Sequence, residues 1–423
     1  MTDLSNYDFA LDSALIATHP IFPKSAAKLL VYNRAQDKIT HTSFAHIFDF
    51  IPRDCLIVLN DTKVLPARIF GQKLSGGRIE FLYHKSLGEN RFLGQIKGKV
   101  RKGELIKFSQ NIFLRVDEVR EDGLRVVEFL QDSQNLGSFS RKSRNLAQEN
   151  PPRESRNLPQ NPRILDESEV LDFLQREGKM PLPPYIKRES VESDIKDYQS
   201  VFAKNLGSIA APTASLHFSD DDLAEISKRA HCFITLHIGA GTFFSVEAQD
   251  IRAHKMHSEQ FFVSAESAQK IMSAKKILCV GTTATRCVEF LAQNLAQNLP
   301  CESQNLTQID SQIPRLWMNF RGCAKRATQI EHRVHQGSEL KHSAKSRHKL
   351  NLDRFCGECD IFINPLNPPI KTSHILTNFH LPKSTLIMLV AGFIGVEKTR
   401  EIYQIAQDLK YRFYSYGDGM LIL

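Results

Sequence analysis

The chain has 423 residues, 42% of them hydrophobic, and a formal net charge of +8. That length predicts two to three domains with at least one large core, and the hydrophobic fraction is that of a soluble protein. The opening residues, MTDLSNYDFALDS, carry acids and no basic-then-apolar run, and the longest apolar run (about 386–396) is too short to span a bilayer. A cytoplasmic protein without a membrane partner is expected.

The positive charge is unevenly placed. Segments 131–163 and 297–354 together hold sixteen Lys and Arg against eight Asp and Glu, which leaves 39 of each sign elsewhere. The body of the protein is neutral, so the basic balance does not by itself indicate a nucleic-acid partner. Eight cysteines are scattered without a disulfide framework. Cys356 and Cys359 have the spacing of half a zinc site, but no complementary pair follows, and no metal is expected.

Two apolar runs of strand length open the chain, KLLVYN (28–33) and CLIVLN (55–60), each ending in asparagine. The second leads into Asp61 and DTKVLPAR, polar groups at a strand's carboxyl end, where α/β sheets usually bind ligands. From 67 to 130 the texture changes to five strand-like stretches, 67–73, 78–84, 91–96, 105–117 and 124–130, separated by glycine-rich breaks. Strands at this spacing predict a small barrel or sandwich. Segments 131–163 and 297–354 are rich in Ser, Gln, Asn, Pro and Arg and read as disordered insertions.

A helix is expected over 168–177, then a rigid MPLPPYI piece. The stretch YQSVFAKNLGSIAAPTASLHF (198–218) follows, placing Lys204, a run of small residues including Thr213, and His217 together. Its composition fits a tight turn before the helix at about 219–229, and equally backbone brought close to a ligand. CFITLHI (232–238), containing His237, reads as a buried strand running into Gly239 and Gly241. No helical pattern follows this GxG, so a dinucleotide fingerprint is rejected.

His254 and His257 would share a face on a helix; His257 and Glu259 would share one on a strand, and the following QFFV favours the strand. KILCV (276–280) is another buried strand, followed by Gly281, Thr282, Thr283 and Arg286, then a helix from Cys287. Strand, glycine, hydroxyls and helix form either an anion site or an ordinary capped helix start. Strands are expected at 359–364 and 373–378. They are followed by His380, Lys383, an apolar helix, and a YRFYSYGDG segment with Tyr416 and Asp418.

Six of these motifs, taken in order, carry a resemblance: YQSVFAKNLGSIAAPTASLHF, TLHIGAGTFFSV, HKMHSEQF, VGTTATR, LTNFHLPKSTLIMLV and YRFYSYGDGMLI. Together with the N-terminal stretch and LNDTKVLPAR, the chain resembles the S-adenosylmethionine:tRNA ribosyltransferase-isomerases of queuosine biosynthesis. Only 131–163 and 297–354 fall outside the likeness. Ser215, Ala240, Ala284 and Gly419 stand where other small residues would be expected, and the FCGECD segment (355–360) departs more.

The resemblance implies an α/β main domain with an inserted small β-barrel domain, to which composition adds two low-complexity insertions. The boundaries are 1–66, 164–296 and 355–423 for the α/β domain, 67–130 for the barrel, and 131–163 and 297–354 for the insertions. It implies transfer and isomerisation of the ribosyl group of S-adenosylmethionine onto 7-aminomethyl-7-deazaguanine at the wobble position of a GUN-anticodon tRNA. Adenine and methionine would leave and epoxyqueuosine-tRNA would form, with S-adenosylmethionine a consumed substrate, no bound cofactor or metal, and a monomeric enzyme.

Such chemistry needs a base for the carbon beside the sulfonium, an acid for departing adenine, a carboxylate clamp, and an aromatic or acidic wall. The matched motifs offer His217, His237, His257 and His380 for proton transfers, and Asp61 and Glu259 for the amine or sulfonium. Substrate contacts fall to Lys204, Thr213, Gly239, Gly241, Thr282, Thr283, Lys383, Tyr416 and Asp418, to Phe243 as a stacking face, and to Arg286 for the methionine carboxylate. Two other classes compete: an S-adenosylmethionine methyltransferase, which would need a helix after the GxG, and a non-catalytic RNA-binding protein, which the neutral body disfavours.

Overall fold

The computed structural model describes residues 1–109, 111–132, 162–239, 241, 246–297 and 354–423. Most of both low-complexity segments, with Trp317, lies outside the described residues, as do Ala240 and Phe243. The described residues divide into two units, Met1–Val64 with Leu182–Glu189 and Lys196–Leu423, and Leu65–Pro181 with Ser190–Ile195.

In chain order the first unit opens with β1 (Lys28–Asn33), β2 (Lys38–Ser43), β3 (Leu56–Asn60) and β4 (Thr62–Val64). The second unit holds β5 (Arg68–Lys73), β6 (Arg78–Gly88), β7 (Arg91–Lys97), β8 (Leu105–Lys107), β9 (Ile112–Val119), β10 (Leu124–Asp132) and β11 (Pro162–Ile164). The first unit resumes with β12 (Asn205–Ser208), β13 (His231–Leu236), β14 (Glu259–Ser264), β15 (Ile277–Val280), β16 (Arg354–Cys359), β17 (His374–Asn378) and β18 (Gly419–Ile422).

In the second unit β7, β6, β5, β8, β9 and β10 pair antiparallel in that order, and β10 returns to β7, closing a six-stranded barrel. The expected strand over 105–117 is two, because the chain turns back at Phe108, whose amide reaches Ile112 O; a hairpin inside one apolar run has no periodicity signal. Phe81, Phe92 and Phe129 fill the interior with edge-to-face contacts at 5.7–5.8 Å. Gly94 is needed there, since a Cβ would lie 2.4 Å from the Phe81 ring. Helix Glu167–Glu177, started by an Asp166 capping box, adds Phe173 against Phe129.

The first unit is built on a nine-stranded sheet, β16-β14-β13-β3-β15-β17-β18-β1-β2. Its four middle strands, β13, β3, β15 and β17, are mutually parallel, so their carboxyl ends share one edge. Strand β3 is buried along its whole length, as a parallel strand covered on both faces must be. Two hydrophobic clusters contain the alternate residues of these strands: Val58, Ile234 and Cys279 in one, Ile57, Leu59 and Leu278 in the other.

Three sequence expectations change here. The helix after β15 begins at Thr282 and not at Cys287, which puts Thr282 and Thr283 in its first turn. The apolar stretch 359–364 is not a strand: β16 ends at Cys359, and Ile361 and Ile363 are buried outside any ladder. Apolar composition reports burial there, not backbone pairing. The last residues form β18, an interior strand of the sheet between β17 and β1, which the polar reading of the C-terminal segment left out.

Gly178, at the end of helix Glu167–Glu177, has Pro66 O where a Cβ would be, at 1.8 Å, and Leu174 O at 2.4 Å. Both contacts are backbone, which cannot yield as a side chain does. Gly178→Ala is expected to destabilise the barrel unit by about 3 kcal/mol or more, read as a lowered urea midpoint.

Candidate functional site

A cavity of about 690 Å³, counted with its open mouth, lies at the carboxyl ends of the parallel strands. Four separate stretches line it: the small-residue run 210–214, the 281–283 turn after β15, residues 377–386 after β17, and Tyr414 with Ser415. Tyr185, Tyr198 and Ile238 complete it. Among these lining residues none is Asp, Glu, Lys or Arg.

The edge is organised by two asparagines. Asn60, at the end of β3, is fully buried. Its Oδ1 accepts from the Leu236 and Thr62 amides at 3.0 and 3.2 Å, and its Nδ2 donates to Leu236 O and Thr283 Oγ1, both at 3.0 Å. All four hydrogen-bonding positions of the amide are filled. Asn378, at the end of β17, accepts from Thr213 Oγ1 at 2.8 Å and donates to His217 Nε2 at 3.3 Å. Backbone bonds seat the small-residue run: Ile209 N–H donates to Ile238 O at 3.1 Å, and the Ser208 hydroxyl accepts from Ile238 N–H at 2.9 Å.

His217 and His380 are the histidines at this site. His380 lines the cavity and shares a 2.7 Å hydrogen bond between its Nε2 and Thr377 Oγ1, while its amide donates to the Tyr403 hydroxyl. His217 packs its ring against Phe44 at 5.0 Å. Burial pushes both down to about 3, helped at His217 by the charges of Arg412 and Lys24. Both are therefore neutral imidazoles at pH 7. The Asn378 contact uses the lone pair of His217 Nε2, so the His217 proton sits on Nδ1.

The remaining sequence candidates are elsewhere. His237 bonds Thr62 Oγ1 through Nδ1 at 2.8 Å and packs over Gly207, where a Cβ would be 2.8 Å from the ring; burial pushes it to about 4. Asp61 accepts from Asn205 Nδ2 and Thr235 Oγ1, and its carbonyl takes the amide of exposed Lys204. Lys383 is half-exposed, sits at φ +56° and pairs with Asp8 at 2.8 Å. Asp418 accepts from the Lys28 and Arg412 amides and pairs with Arg412. Tyr416 stands edge-on to Tyr198 at 5.8 Å.

Arg286 and Glu259 form a buried ion pair, each at most 5% exposed. Arg286 also donates to Ile361 O and Cys359 O at 3.3 and 3.1 Å, and Glu259 Oε1 accepts from the Gly239 amide at 3.0 Å. The guanidinium expected to clamp a substrate carboxylate thus holds protein groups and does not line the cavity. His257 is exposed, packed where a Gly241 Cβ would be, and does not share Glu259's buried environment. Thr213, Thr282, Thr283, His217 and His380 are brought together; the others are not.

Tyr185, Tyr198, Tyr414 and Asn378 line or organise the cavity without having been singled out. The signal for Asn378 was present, since LTN repeats the strand-ending asparagine of VLN. The tyrosines carried none beyond aromatic character. Among the described residues, no group of three or more His, Cys, Asp or Glu could hold a metal ion, and no helix is long and apolar enough to cross a membrane.

An α/β sheet with a concave, largely apolar site carrying a few polar groups over the carboxyl ends of parallel strands, one of them leading into a helix N-terminus, defines a small-molecule-binding enzyme domain. The model of a family described as queuosine biosynthesis protein matches residues 4–422. Proteins named S-adenosylmethionine:tRNA ribosyltransferase-isomerase are similar along the full length. That of Campylobacter jejuni (strain RM1221) is 42% identical, covering 99% of this chain and 98% of its own. Those of Aliarcobacter butzleri and Helicobacter pylori (strain Shi470) are 41% and 40% identical, covering 99% and 100% of this chain and 98% and 99% of their own. A solved S-adenosylmethionine tRNA ribosyltransferase from Thermotoga maritima aligns over 99% of this chain and 100% of its own at 23% identity, with a TM-score of 0.44. The chain belongs to this queuosine biosynthesis family of transferase-isomerase enzymes.

Two outcomes are expected. Glu259→Ala leaves a buried guanidinium unpaired and should cost about 3–5 kcal/mol, whereas Glu259→Ala with Arg286→Met should cost less than the sum of the single changes; urea midpoints of the three variants test this. The buried neutral histidines bind a proton more weakly folded than unfolded. Their contribution is therefore full above the ordinary value of 6.5 and is lost as pH falls from there toward 3. At pH 5 each should have lost about 2 kcal/mol. A His217→Gln variant should show a flatter drop in urea midpoint between pH 7.5 and 5.

Proposed function

We propose that this chain transfers and isomerises the ribosyl moiety of S-adenosylmethionine onto the aminomethyl group of 7-aminomethyl-7-deazaguanine, at the wobble position of a GUN-anticodon tRNA. Epoxyqueuosine-tRNA forms, and adenine and methionine leave. The observation that carries this reading is the convergence of four separate motifs on one cavity, in a chain whose full-length relatives bear the ribosyltransferase-isomerase name.

In this reading the cavity holds S-adenosylmethionine. The sulfonium acidifies the adjacent carbon, and His380, at the cavity wall and unprotonated at pH 7, is placed to receive its proton. Because burial makes it a weak base, this step depends on the bound sulfonium raising the carbon's acidity and on the ligand's charge distribution around the imidazolium. With values of about 3, almost no imidazolium is present at pH 7 to act as an acid, so protonation of departing adenine falls to another group or to water. His217 acts through Asn378 by holding the amide orientation that Thr213 also reads. Glu259, Arg286 and Asp418 serve as positioning groups for the backbone around the site. The enzyme acts in the cytoplasm as a monomer, with no membrane partner and S-adenosylmethionine consumed in place of any resident cofactor. The α/β domain is taken as 1–66, 164–296 and 355–423, and the barrel as 67–130.

Mass spectrometry of GUN-anticodon tRNA carrying the aminomethyl base, after incubation with the protein and S-adenosylmethionine, tests the reading. The expected product is heavier by the transferred ribosyl group, with free adenine and methionine. S-adenosylhomocysteine and a methylated tRNA would instead mark a methyltransferase, and an unaltered bound tRNA a non-catalytic binder. His380→Gln is expected to keep its fold and lose kcat by about a hundredfold or more.

A further inference from the structure

The body of the chain is neutral on average, but charge within the barrel is segregated. Its first four strands, residues 68–107, hold ten Lys and Arg against three Asp and Glu; its last two, 112–132, hold three against six. Along a barrel strand successive side chains alternate between interior and exterior. Ile79, Phe81, Ile96 and Ile106 take buried interior positions, which turns Arg78, Lys97 and Lys107 outward. Register gathers these three. Gln72 of β5 stands opposite Arg78 on β6 and Lys107 on β8, and Lys97 of β7 stands opposite Glu80 on β6. From β8 to β7 is three strand spacings, about 14 Å of barrel surface.

The loop from β7 to β8 adds Lys99, Arg101 and Lys102, all exposed. Its course is fixed by the end of the barrel. Lys73 donates to the Lys99 carbonyl and pairs with Glu104 at 2.8 Å, and Glu104 also accepts the Arg101 amide at 2.9 Å. The Gly103 amide donates to Val116 O at 2.7 Å. The one carboxylate of this loop is thus engaged by Lys73 and the backbone, and the neighbouring Glu80 is paired with Arg68 at 3.3 Å. Among the described residues, Arg78, Lys97, Lys99, Arg101, Lys102 and Lys107 form no ion pair. Six cations at one end of the barrel are left to solvent, a cluster that self-repels until a polyanion covers it.

We propose that this end of the barrel is an RNA-docking surface, on which these six cations hold the phosphate backbone of the tRNA. The inference rests on the chain acting on tRNA. A spread of cations about 14 Å wide exceeds one phosphate and suits successive phosphates along a strand. A braced loop presents its charges with little further ordering to be lost on binding. A lipid surface fits less well, because Val100 is the only apolar residue between Lys97 and Glu104 and gives no apolar anchor. The surface belongs wholly to the barrel unit and shares no residue with the cavity lining. Contacts of this kind position an RNA and carry no sequence information.

Fluorescence anisotropy of the full-length protein with a labelled GUN-anticodon tRNA transcript, over a series of salt concentrations, tests this. Lys99→Gln/Arg101→Gln/Lys102→Gln removes three exposed charges that hold no other side chain, so its thermal midpoint should match wild type. It is expected to weaken tRNA binding about tenfold or more and to flatten the slope of log affinity against log salt by about 2. On tRNA carrying the aminomethyl base the loss should fall on KM for tRNA, with kcat and S-adenosylmethionine affinity unchanged. Arg115→Gln/Arg120→Gln/Arg125→Gln removes the same charge from β9, β10 and the turn between them, and should keep tRNA affinity within about twofold of wild type. Unchanged affinity or an unchanged salt slope in the first triple, or equal loss in both triples, would overturn the surface and leave the proposed function standing. A wild-type protein that binds phosphatidylglycerol vesicles but not tRNA would overturn the proposed function and this inference with it.

Discussion

The site depends on one buried amide. Asn60 ends the most enclosed strand of the sheet and makes four hydrogen bonds, gripping both backbone groups of Leu236 on one neighbour and the first turn of helix Thr282–Gln297 on the other. A polar side chain at such a position is costly unless every donor and acceptor is matched. Here all are, so the amide has one arrangement, and the ends of three elements are held to it. The cavity, the helix terminus facing it and the course of the chain after β13 follow from that constraint.

Around this anchor the protein separates charge from chemistry. The buried ion pair of Arg286 with Glu259 gathers the Cys359 and Ile361 carbonyls and the Gly239 amide, away from the cavity lining. The cavity itself is walled by small and aliphatic side chains together with hydroxyls, the Asn378 amide, phenols and the neutral imidazole of His380. A wall of this kind binds a ligand that carries its own charges through fixed dipoles and aromatic faces. It also leaves the histidines with low proton affinity, since nothing nearby stabilises an imidazolium.

Much of the architecture was legible from pattern. The enclosed run ending at Asn60, the strand ending at Gly281 and the barrel strands with their glycine breaks each declare themselves by period and punctuation. The stretch around 198–218 was legible as both a turn and a binding surface, and it is both. Residues 213–217 form a short helical turn, Ser219 caps the next helix, and Ala210 to Ala214 line the cavity. What misled was residue type read without partners. An arginine beside a glycine–threonine turn looks like an anion clamp, and only its neighbours show the guanidinium engaged with Glu259 and backbone carbonyls.

The sequence by itself determined most of the strands and helices, that a barrel interrupts an α/β domain, and which polar residues stand at the ends of strands such as β3 and β15. Those properties are local, arising from side-chain period, capping groups and glycine punctuation. Only the tertiary structure decided which strand ends are adjacent, that β18 completes the sheet, and that His380, Thr213 and Tyr198 share a cavity while Lys204, Lys383 and His257 do not. Adjacency across hundreds of residues depends on sheet order and register. These are set by how whole faces pack, and no window of sequence carries that information.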